Sequence, residues 1–354
     1  MADKPIQASV IVPAYNAENT LQQAVNSAME QTGVCLEVLV IDDASTDGTA
    51  AVAEALTARD PRVRLLRQPV NRGPAAARNR GLAAALGTWV ALLDADDEFA
   101  PGRLETLLVM GESLDADVVA DNLLLCPAGD HTQATPMIST KVLPTARWMS
   151  AAEFVAGNVG SRFTPRISYG FLQPMIRRDF LDRLGLRYNE HNRFGEDYLF
   201  ALNLLLRGAR WRITPRAMYR YRVQSGTLTD VQSAADLLRI RQFEDKLLRS
   251  HPLVTSDPEL ARSLRRHKRV MEHFYYYRAF TDALKAGRFT LAAGLLLQSP
   301  SGFQHILTES MMQTPRVVRK ALRGGFRHPR EEASPSTALG LPRDPGTGGA
   351  VAQK

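Results

Sequence analysis

The first hundred residues alternate between short apolar runs and amphipathic stretches, and this alternation constrains the fold more than any other feature of the chain. Apolar runs predict strands, and the stretches between them predict helices. The predicted strands are 9–13, 36–41, 63–66 and 88–93, and the predicted helices are 17–31, 49–59 and 74–86. Gly87 follows the third helix, where a glycine commonly ends a helix. Such repetition with uninterrupted apolar strands indicates an α/β fold, a mostly parallel sheet flanked by helices.

Polar residues cluster where the predicted strands end. Pro13–Asn16 follow the first strand, Asp42 and Asp43 the second, 71–73 the third and Asp94–Asp97 the fourth. Ligands of open α/β sheets bind beyond the carboxyl ends of the strands. Four such clusters at one edge therefore indicate a ligand site rather than four unrelated turns.

The run Asp94-Ala95-Asp96-Asp97 places dense negative charge directly after a predicted buried strand. Neighbouring acids repel one another unless a cation lies beside them, and carboxylate oxygens suit Mg²⁺ or Mn²⁺. Such an ion can in turn hold a diphosphate. The structural alternative is a turn followed by an aspartate that caps the next predicted helix, 103–110.

The rest of the chain is less regular. The predicted elements are a strand at 117–121, helices at 178–184 and 198–207, a pair of strands around Pro215 within 211–223, and helices across 234–297. The segment 331–354 is rich in Gly, Pro, Ser and Thr and predicts a disordered tail. We expect a sheet domain over 1–230 and a basic helical region over 231–330.

Composition limits the location and the partners. Two cysteines in 354 residues cannot form a disulfide framework and indicate a reducing compartment. The N-terminus lacks the apolar core of a signal peptide, and no apolar run approaches the ~20 residues that span a bilayer. We therefore expect a cytoplasmic protein, or one held at a membrane from outside.

Basic residues concentrate late in the chain, whose net charge is +7. They lie in 262–269 and 316–330, and this charge fits either a solvated helix face or attraction to anionic lipid or a lipid diphosphate. No nucleic-acid motif accompanies the charge, so we expect no nucleic-acid partner. The aromatic run 274–277 predicts either packing within the helical layer or contact with an acceptor or lipid.

Four ordered motifs and a later acidic pair resemble family 2 glycosyltransferases. The motifs are Val10–Asn16, Asp42–Thr49, Asn71–Asn79, Asp94–Asp97 and Glu196-Asp197. Each motif alone is weak, but the ordered set is specific. The resemblance covers about residues 8–230. It implies the GT-A fold, with a Rossmann-like sheet, a nucleotide-sugar donor, a divalent metal and inversion at the anomeric carbon.

The resemblance also implies roles for single residues of the donor site. The nucleotide-sugar-binding positions are Pro13, Tyr15, Asn16, Asp43, Arg78, Asp94 and, in a later segment, Arg222. Tyr15 can stack on a pyrimidine ring, and Asp43 can accept the N3–H of uracil, although Asp43 also suits a turn or a helix cap. Asp96 is the expected metal ligand, and Asp94 would hold the ribose or the metal. An Mn²⁺ or Mg²⁺ ion there would stabilise the departing nucleoside diphosphate.

Glu196 and Asp197 supply the base that the strand ends lack. In the family the second acid of this pair generally takes the proton of the acceptor hydroxyl. Asp197 is therefore the expected catalytic base, and Glu196 would orient it or hold the acceptor. The structural alternative is a helix N-terminus that favours negative charge. Many relatives carry a histidine metal ligand near Arg222, where this chain has Gln224, so a third protein ligand for the metal stays open.

Two departures from the family pattern limit the class of reaction and acceptor that we expect. Processive polymer synthases carry membrane helices and a Gln-x-x-Arg-Trp motif, whereas this chain has Arg207-Gly208-Ala209-Arg210-Trp211 and no membrane helix. The segment around Glu196 resembles bacterial exopolysaccharide glycosyltransferases of the succinoglycan type. We expect a non-processive enzyme that moves a hexose, such as glucose from UDP-glucose, onto a lipid-linked oligosaccharide or other glycan acceptor at the cytoplasmic face of the inner membrane. A basic C-terminal region would make the peripheral membrane contact.

Two other classes of protein fit parts of this pattern. A sugar-phosphate nucleotidyltransferase shares this type of sheet but would need a Gly-rich phosphate loop after the first strand, and 13–16 offers none. A non-catalytic nucleotide-sugar sensor or scaffold would not need Asp94, Asp96 and Asp197 together.

Overall fold

The computed structural model describes residues 5–127, 130–159, 167–223 and 233–298. The predictions that concern Gln224, the basic segment 316–330 and the tail 331–354 lie outside these residues. Within the described ranges, no helix is long and apolar enough to cross a membrane.

Strands and helices alternate in the first part of the chain, as the apolar pattern predicts. The elements are β1 (Ala8–Ala14), α1 (Leu21–Met29), β2 (Leu36–Asp42), α2 (Thr49–Arg59), β3 (Val63–Arg67), α3 (Pro74–Ala84), β4 (Trp89–Leu92), β5 (Glu98–Phe99) and α4 (Arg103–Ser113). Strands β2 and β4 are buried along their whole length. Helices therefore cover both faces of the sheet there.

Gly87 does not end helix α3, so that prediction is wrong. The helix ends at Ala84, and the next residue, Ala85, has an extended backbone. A Cβ atom on Gly87 would lie 2.5 Å from the backbone nitrogen of Ser9. Glycine is needed because the chain passes close to β1 just before it enters β4.

The middle of the chain continues the same sheet. Its elements are β6 (Val118–Pro127), β7 (Thr135–Pro136), β8 (Arg147–Met149), α5 (Ala151–Val159), β9 (Met175–Arg177), α6 (Arg178–Leu184), α7 (Glu196–Leu206) and β10 (Trp211–Val223). Strand β10 is one continuous strand, which corrects the predicted pair of strands around Pro215. The register against β6 shifts between Ile213 and Ala217, and this irregularity accommodates a proline that has no N–H to donate.

The sheet has the strand order β3-β2-β1-β4-β9-β6-β10-β5. Strands β1 to β4 are parallel, β9 runs antiparallel to both of its neighbours, and β10 is parallel to β6. The sheet is thus parallel in its first half and mixed beyond it. The strand order reverses beside β1, and the crevice at such a switch point is where open α/β sheets bind ligands.

Four helices complete the described chain: α8 (Ala234–Ser250), α9 (Pro252–Ser256), α10 (Pro258–Lys285) and α11 (Phe289–Gln298). Ser233 and Asp257 cap α8 and α10 by accepting backbone N–H groups. Helix α10 packs against α8 and α5, and Phe274 and Tyr275 pack against the core, which favours the packing interpretation of the aromatic run. These helices belong to the same compact unit as the sheet, and the domain division at residue 230 stays a prediction.

Candidate active site

Asp97 ties the acid loop after β4 to strand β10. Its carboxylate accepts hydrogen bonds from the Tyr219 hydroxyl at 2.9 Å and from the Arg222 backbone N–H at 2.8 Å. Burial, together with the two neighbouring acids, raises the pKa of Asp97 well above its ordinary range. Helix α4 begins after Gly102 and has no side-chain cap. The alternative in which the acid run caps the next helix is therefore wrong, and Asp97 fastens the loop instead.

Asp94 and Asp96 keep partial exposure in the same loop. One Asp94 oxygen accepts from Arg78 at 3.0 Å, and the other accepts from Gln173 at 3.1 Å. Burial and the charge of Asp94 raise the pKa of Asp96. A divalent cation would relieve this repulsion, so the two carboxylates fit one.

A metal at this place would need most of its ligands from elsewhere. No group of three His, Cys, Asp or Glu side chains among the described residues could hold a metal ion. Mg²⁺ in phosphate sites is commonly bound by one or two carboxylates, with substrate phosphates and water filling the other positions. Asp94 and Asp96 therefore suit an ion that is shared with a diphosphate.

Arg78 joins the acid loop to the first turn of helix α7. Its Nη2 lies 3.0 Å from Asp94 Oδ1, and its Nη1 lies 2.9 Å from Glu196 Oε1 and 3.1 Å from Asp197 Oδ1. The side chain is only 4% exposed. One buried cation thus brings together acids that lie about a hundred residues apart in the chain. We call these four residues the Arg78 cluster.

Asp197 is poised to exchange a proton near neutral pH. Burial, with Glu196 and Asp94 adding to it, raises the pKa of Asp197 to about 8, although Arg78 and a hydrogen bond from Tyr188 act in the opposite direction. A general base works best when its pKa lies near the working pH. The raised pKa therefore agrees with the predicted role of Asp197, which stays a prediction.

The start of α7 also explains why acids occur there. Gly195 has φ +70° and precedes the helix, whose first turn contains Glu196 and Asp197. Negative charge is favourable at the positive end of a helix dipole. The structural and the functional interpretations of this pair are thus both compatible with the structure.

The loop after β1 holds the loop after β2. Asn16 has φ +51°, and its side-chain oxygen accepts the Thr46 N–H at 2.9 Å. Pro13 lies in β1, and Tyr15 is 50% exposed beyond its end. Tyr15 is therefore accessible for stacking, while the side-chain oxygen of Asn16 already serves the loop.

Asp43 holds the loop that leads into α3. Its carboxylate accepts from Gln68 Nε2 at 2.7 Å and from the backbone N–H groups of Arg72 and Gly73 at 2.9 and 2.7 Å. An ionised carboxylate offers about four acceptor positions. The bonds described here leave room for about one more, so the turn-forming role and the predicted contact with a base are compatible.

Arg222 lies beside the acid loop, and its guanidinium already donates hydrogen bonds to other residues of the protein. Its Nε donates to the carbonyl oxygen of Asp96 at 3.0 Å, and its Nη2 donates to Gln23 Oε1 at 2.9 Å. Its predicted contact with phosphate stays a prediction.

Sequence reasoning missed three side chains that build this site. Gln173 contacts Asp94, Tyr188 contacts Asp197, and Tyr219 contacts Asp97. Tyr219 also accepts the Asp94 N–H at 3.1 Å. All three lie outside the recognisable motifs, and their alignment with the acids depends on the fold.

Comparison with known proteins identifies the family. The model for glycosyl transferase family 2 matches residues 9–179. The succinoglycan biosynthesis protein ExoU of Rhizobium meliloti (strain 1021) is 38% identical over 307 residues, which cover 86% of this chain and 87% of that protein. The chain belongs to glycosyltransferase family 2. ExoO of the same organism is 32% identical over 95% of this chain and 92% of its own length. The enzyme class expected from the motifs is thereby confirmed.

Solved structures confirm the predicted GT-A fold. Residues 1–349 of TarS from S. aureus, in complex with UDP-GlcNAc, match with a TM-score of 0.61 at 18% identity, over 84% of this chain and 92% of that chain. The mannosyltransferase PcManGT from Pyrobaculum calidifontis, in complex with GDP-Man and Mn²⁺, matches with a TM-score of 0.52 at 18% identity, over 88% of this chain and 81% of that chain. At these identities the likeness shows the fold alone.

Proposed function

We propose that this glycosyltransferase is inverting, metal-dependent and non-processive, and that it moves a hexose from a nucleotide-sugar, glucose from UDP-glucose in the first instance, onto a lipid-linked oligosaccharide. The Arg78 cluster carries this proposal. An in-line transfer needs a site for the leaving diphosphate and a base on opposite sides of one anomeric carbon. Arg78 fixes the acid loop and Asp197 relative to each other, which supports both roles in one site.

The relatives support the choice of donor and pathway. Both R. meliloti relatives are named for succinoglycan biosynthesis and match most of this chain, which supports exopolysaccharide synthesis as the setting. The S. aureus neighbour was solved with UDP-GlcNAc, which supports a UDP-sugar.

A lipid-linked acceptor would place the reaction at the cytoplasmic face of the inner membrane. Helix α10 supports this location through four exposed arginines, which are Arg262, Arg265, Arg266 and Arg269. Basic side chains near a membrane surface gain about 1 kcal/mol each from anionic lipid.

The reaction forms one bond and breaks one. The oxygen of the acceptor hydroxyl bonds to the anomeric carbon, and the bond from that carbon to the diphosphate oxygen breaks, with its electron pair leaving on the nucleoside diphosphate. The hydroxyl proton passes to the carboxylate of Asp197. Attack from the side opposite the leaving group inverts the configuration. A divalent cation held by Asp96 and Asp94 would supply charge neutralisation for the diphosphate when bound.

Donor hydrolysis tests the proposed activity. The full chain is incubated with UDP-glucose, UDP-galactose, UDP-GlcNAc or GDP-mannose, in Mn²⁺, Mg²⁺ or EDTA, and release of the nucleoside diphosphate is measured. We expect cation-dependent hydrolysis of one donor, which names the sugar. Binding without turnover, even with acceptor lipid present, would instead favour the sensor or scaffold hypothesis.

Asp197→Asn tests the base. We expect transfer to fall by about 10²–10⁴-fold, the usual contribution of a positioned base, while donor binding measured by calorimetry stays near the wild-type value. Asp179→Asn is the matched control, because Asp179 is an exposed acid in the first turn of α6. A parallel loss of donor binding in Asp197→Asn would show that this residue holds the donor rather than the proton.

Asp96→Ala tests the metal ligand. The variant should bind both Mn²⁺ and the UDP-sugar more weakly, because an ion shared with the diphosphate couples the two binding affinities. Titration of Mn²⁺ at fixed donor concentration measures both effects. An unchanged metal dependence would show that Asp96 is not a metal ligand.

A further inference from the structure

A cavity of about 140 Å³ lies beside the candidate base, and the C-terminal helices contribute to its wall. Glu196 and Asp197 line it together with Ile240 of α8 and with His267 and Met271 of α10. The match to the family model ends at residue 179, so α8 and α10 lie outside it.

The lining combines apolar and polar groups. Its apolar side chains include Phe171, Phe194, Ile240 and Met271, and its polar side chains include Asn158 and His267. Small-molecule sites typically combine apolar walls with a few placed polar groups. A sugar ring, with nonpolar C–H faces and hydroxyl groups at its edge, suits such a lining.

His267 is held firmly in the wall of this cavity. Its ring stacks on Tyr198, with centroids 4.5 Å apart and planes 17° apart. Its Nδ1 lies 2.6 Å from Glu244 Oε1, which also accepts the Tyr198 hydroxyl at 2.7 Å. Tyr198 directly follows Asp197 in α7. The imidazole is thus fixed relative to the helix that carries the candidate base.

The contact with Glu244 identifies the nitrogen of His267 that faces helix α8. Glu244 is completely buried, and its Oε2 has no hydrogen-bond partner among the described residues. His267 Nδ1 lies 2.6 Å from Oε1 but also lacks a hydrogen bond of regular geometry among the described residues. The two buried groups therefore meet as a close polar pair. The second nitrogen, Nε2, lies on the opposite edge of the ring.

We propose that His267 is an acceptor-binding residue, whose Nε2 hydrogen bonds to a hydroxyl of the terminal sugar ring of the acceptor. The nonpolar face of that ring would pack on the apolar wall, including Phe171 and Met271. The inference rests on the proposed function, since the hydroxyl that attacks the donor must lie beside Asp197. It assigns acceptor recognition in part to helices α8 and α10.

Two substitutions at His267 separate a role in acceptor binding from a role in stabilising the fold. Asparagine places its amide near the Nδ1 position, so His267→Asn keeps a polar group beside Glu244 and loses the Nε2 edge of the ring. Glutamine reaches the Nε2 position, so His267→Gln does the reverse. The assay uses the full chain, the donor that it hydrolyses, and methyl and octyl β-D-glucosides and β-D-galactosides as acceptor probes. The measured quantity is the ratio of glycoside product to free sugar.

We expect His267→Asn to lower this ratio about tenfold, the effect of losing one hydrogen bond, and to keep a near-native midpoint of urea unfolding. His267→Gln should keep most of the ratio but unfold at lower urea. A native ratio in the asparagine variant, or ratio and unfolding midpoint falling together in both variants, would overturn the proposal and leave His267 a structural residue. His251→Asn, outside the cavity, is the control and should leave the ratio at its wild-type value.

The wild-type assay separates this proposal from the proposed function. Hydrolysis of a donor with no effect of any glycoside, or an effect of the octyl glycosides alone, would overturn the assignment of a sugar ring to the cavity. Absence of hydrolysis with every donor would overturn the proposed function, and this inference with it.

Discussion

Arg78→Met removes the cation that compensates three acids. The Arg78 side chain is 4% exposed, and its contacts with the three carboxylates measure 2.9–3.1 Å. At an effective dielectric constant of ~20, each contact is worth roughly 5 kcal/mol before desolvation is subtracted. Removing one partner of a buried ion pair costs about 3–5 kcal/mol. Two of the acids are about a quarter exposed, and Asp197, with a pKa of about 8, is only partly ionised at pH 7.5. We therefore expect the free energy of unfolding to fall by about 3 kcal/mol, the low end of that range, near this pH.

In the same variant, the transfer rate and the free energy of unfolding should depend on pH differently from the wild type. The charge of Arg78 lowers the pKa of Asp197, so its removal moves that pKa upward from about 8. Each unit of increase reduces the ionised fraction at neutral pH about tenfold, and the transfer rate should follow it. The folded-state pKa lies above the unfolded value of 3.8, so folding takes up a proton between these values. Wild type and variant both take up this proton below about pH 8, so the stability defect should stay constant there. It should grow above about pH 8, where Asp197 ionises in the folded wild type but not yet in the variant.

Urea unfolding at about pH 7.5 and 9.5, with the pH dependence of transfer, measures both effects. Arg80→Met is the control, since Arg80 is exposed on the same helix and a surface change there should alter stability by less than about 0.5 kcal/mol. If Arg78→Met unfolds like the wild type and keeps its pH profile, the cluster does not hold the site together.

Two further predictions concern the wild-type base and the glycine before it. Transfer by the wild type should rise about tenfold per pH unit below about pH 8 and then level off, because Asp197 must be ionised to accept a proton; a flat rate between pH 6 and 8 would contradict this. Gly195→Ala should lower the free energy of unfolding by about 2 kcal/mol, because φ is +70° and the new Cβ would lie 2.8 Å from Ile240 Cδ1. Gly208→Ala, at φ +87° with no atom within 4 Å of its Cβ, isolates the backbone strain, and equal losses in urea would refute the contribution of Ile240.

Most of the sheet could be predicted because its signals are local. Helices Thr49–Arg59 and Arg178–Leu184 begin and end where the sequence pattern places them. The errors arise where a distant segment decides the outcome. Strand β10 continues past Pro215 because β6 offers a partner on both sides of the irregularity, and Gly87 is needed because Ser9 passes close to it.

The acids of the site could be predicted, whereas the contacts that join them could not. Asp94 and Asp197 lie in recognisable motifs, but the contact between Arg78 and Glu196 spans 118 residues of sequence. Charge–charge contacts of this kind leave no periodic signal in the sequence. The contribution of α8 and α10 to the cavity escaped prediction for the same reason, since Ile240 and Met271 look like ordinary core residues.

The position of β10 in the sheet has a consequence for synthesis on the ribosome. Strand β6 pairs with β10 from Val118 and Trp211 onward, so about 90 residues are made before this edge of β6 can be covered. At 5–20 residues per second the nascent chain waits roughly 5–20 s in that state. An apolar strand with an unpaired edge is a site of aggregation. Stalled chains that end before residue 211 should therefore depend on chaperones, and they also lack Tyr219 and Arg222, which hold the acid loop in the complete chain.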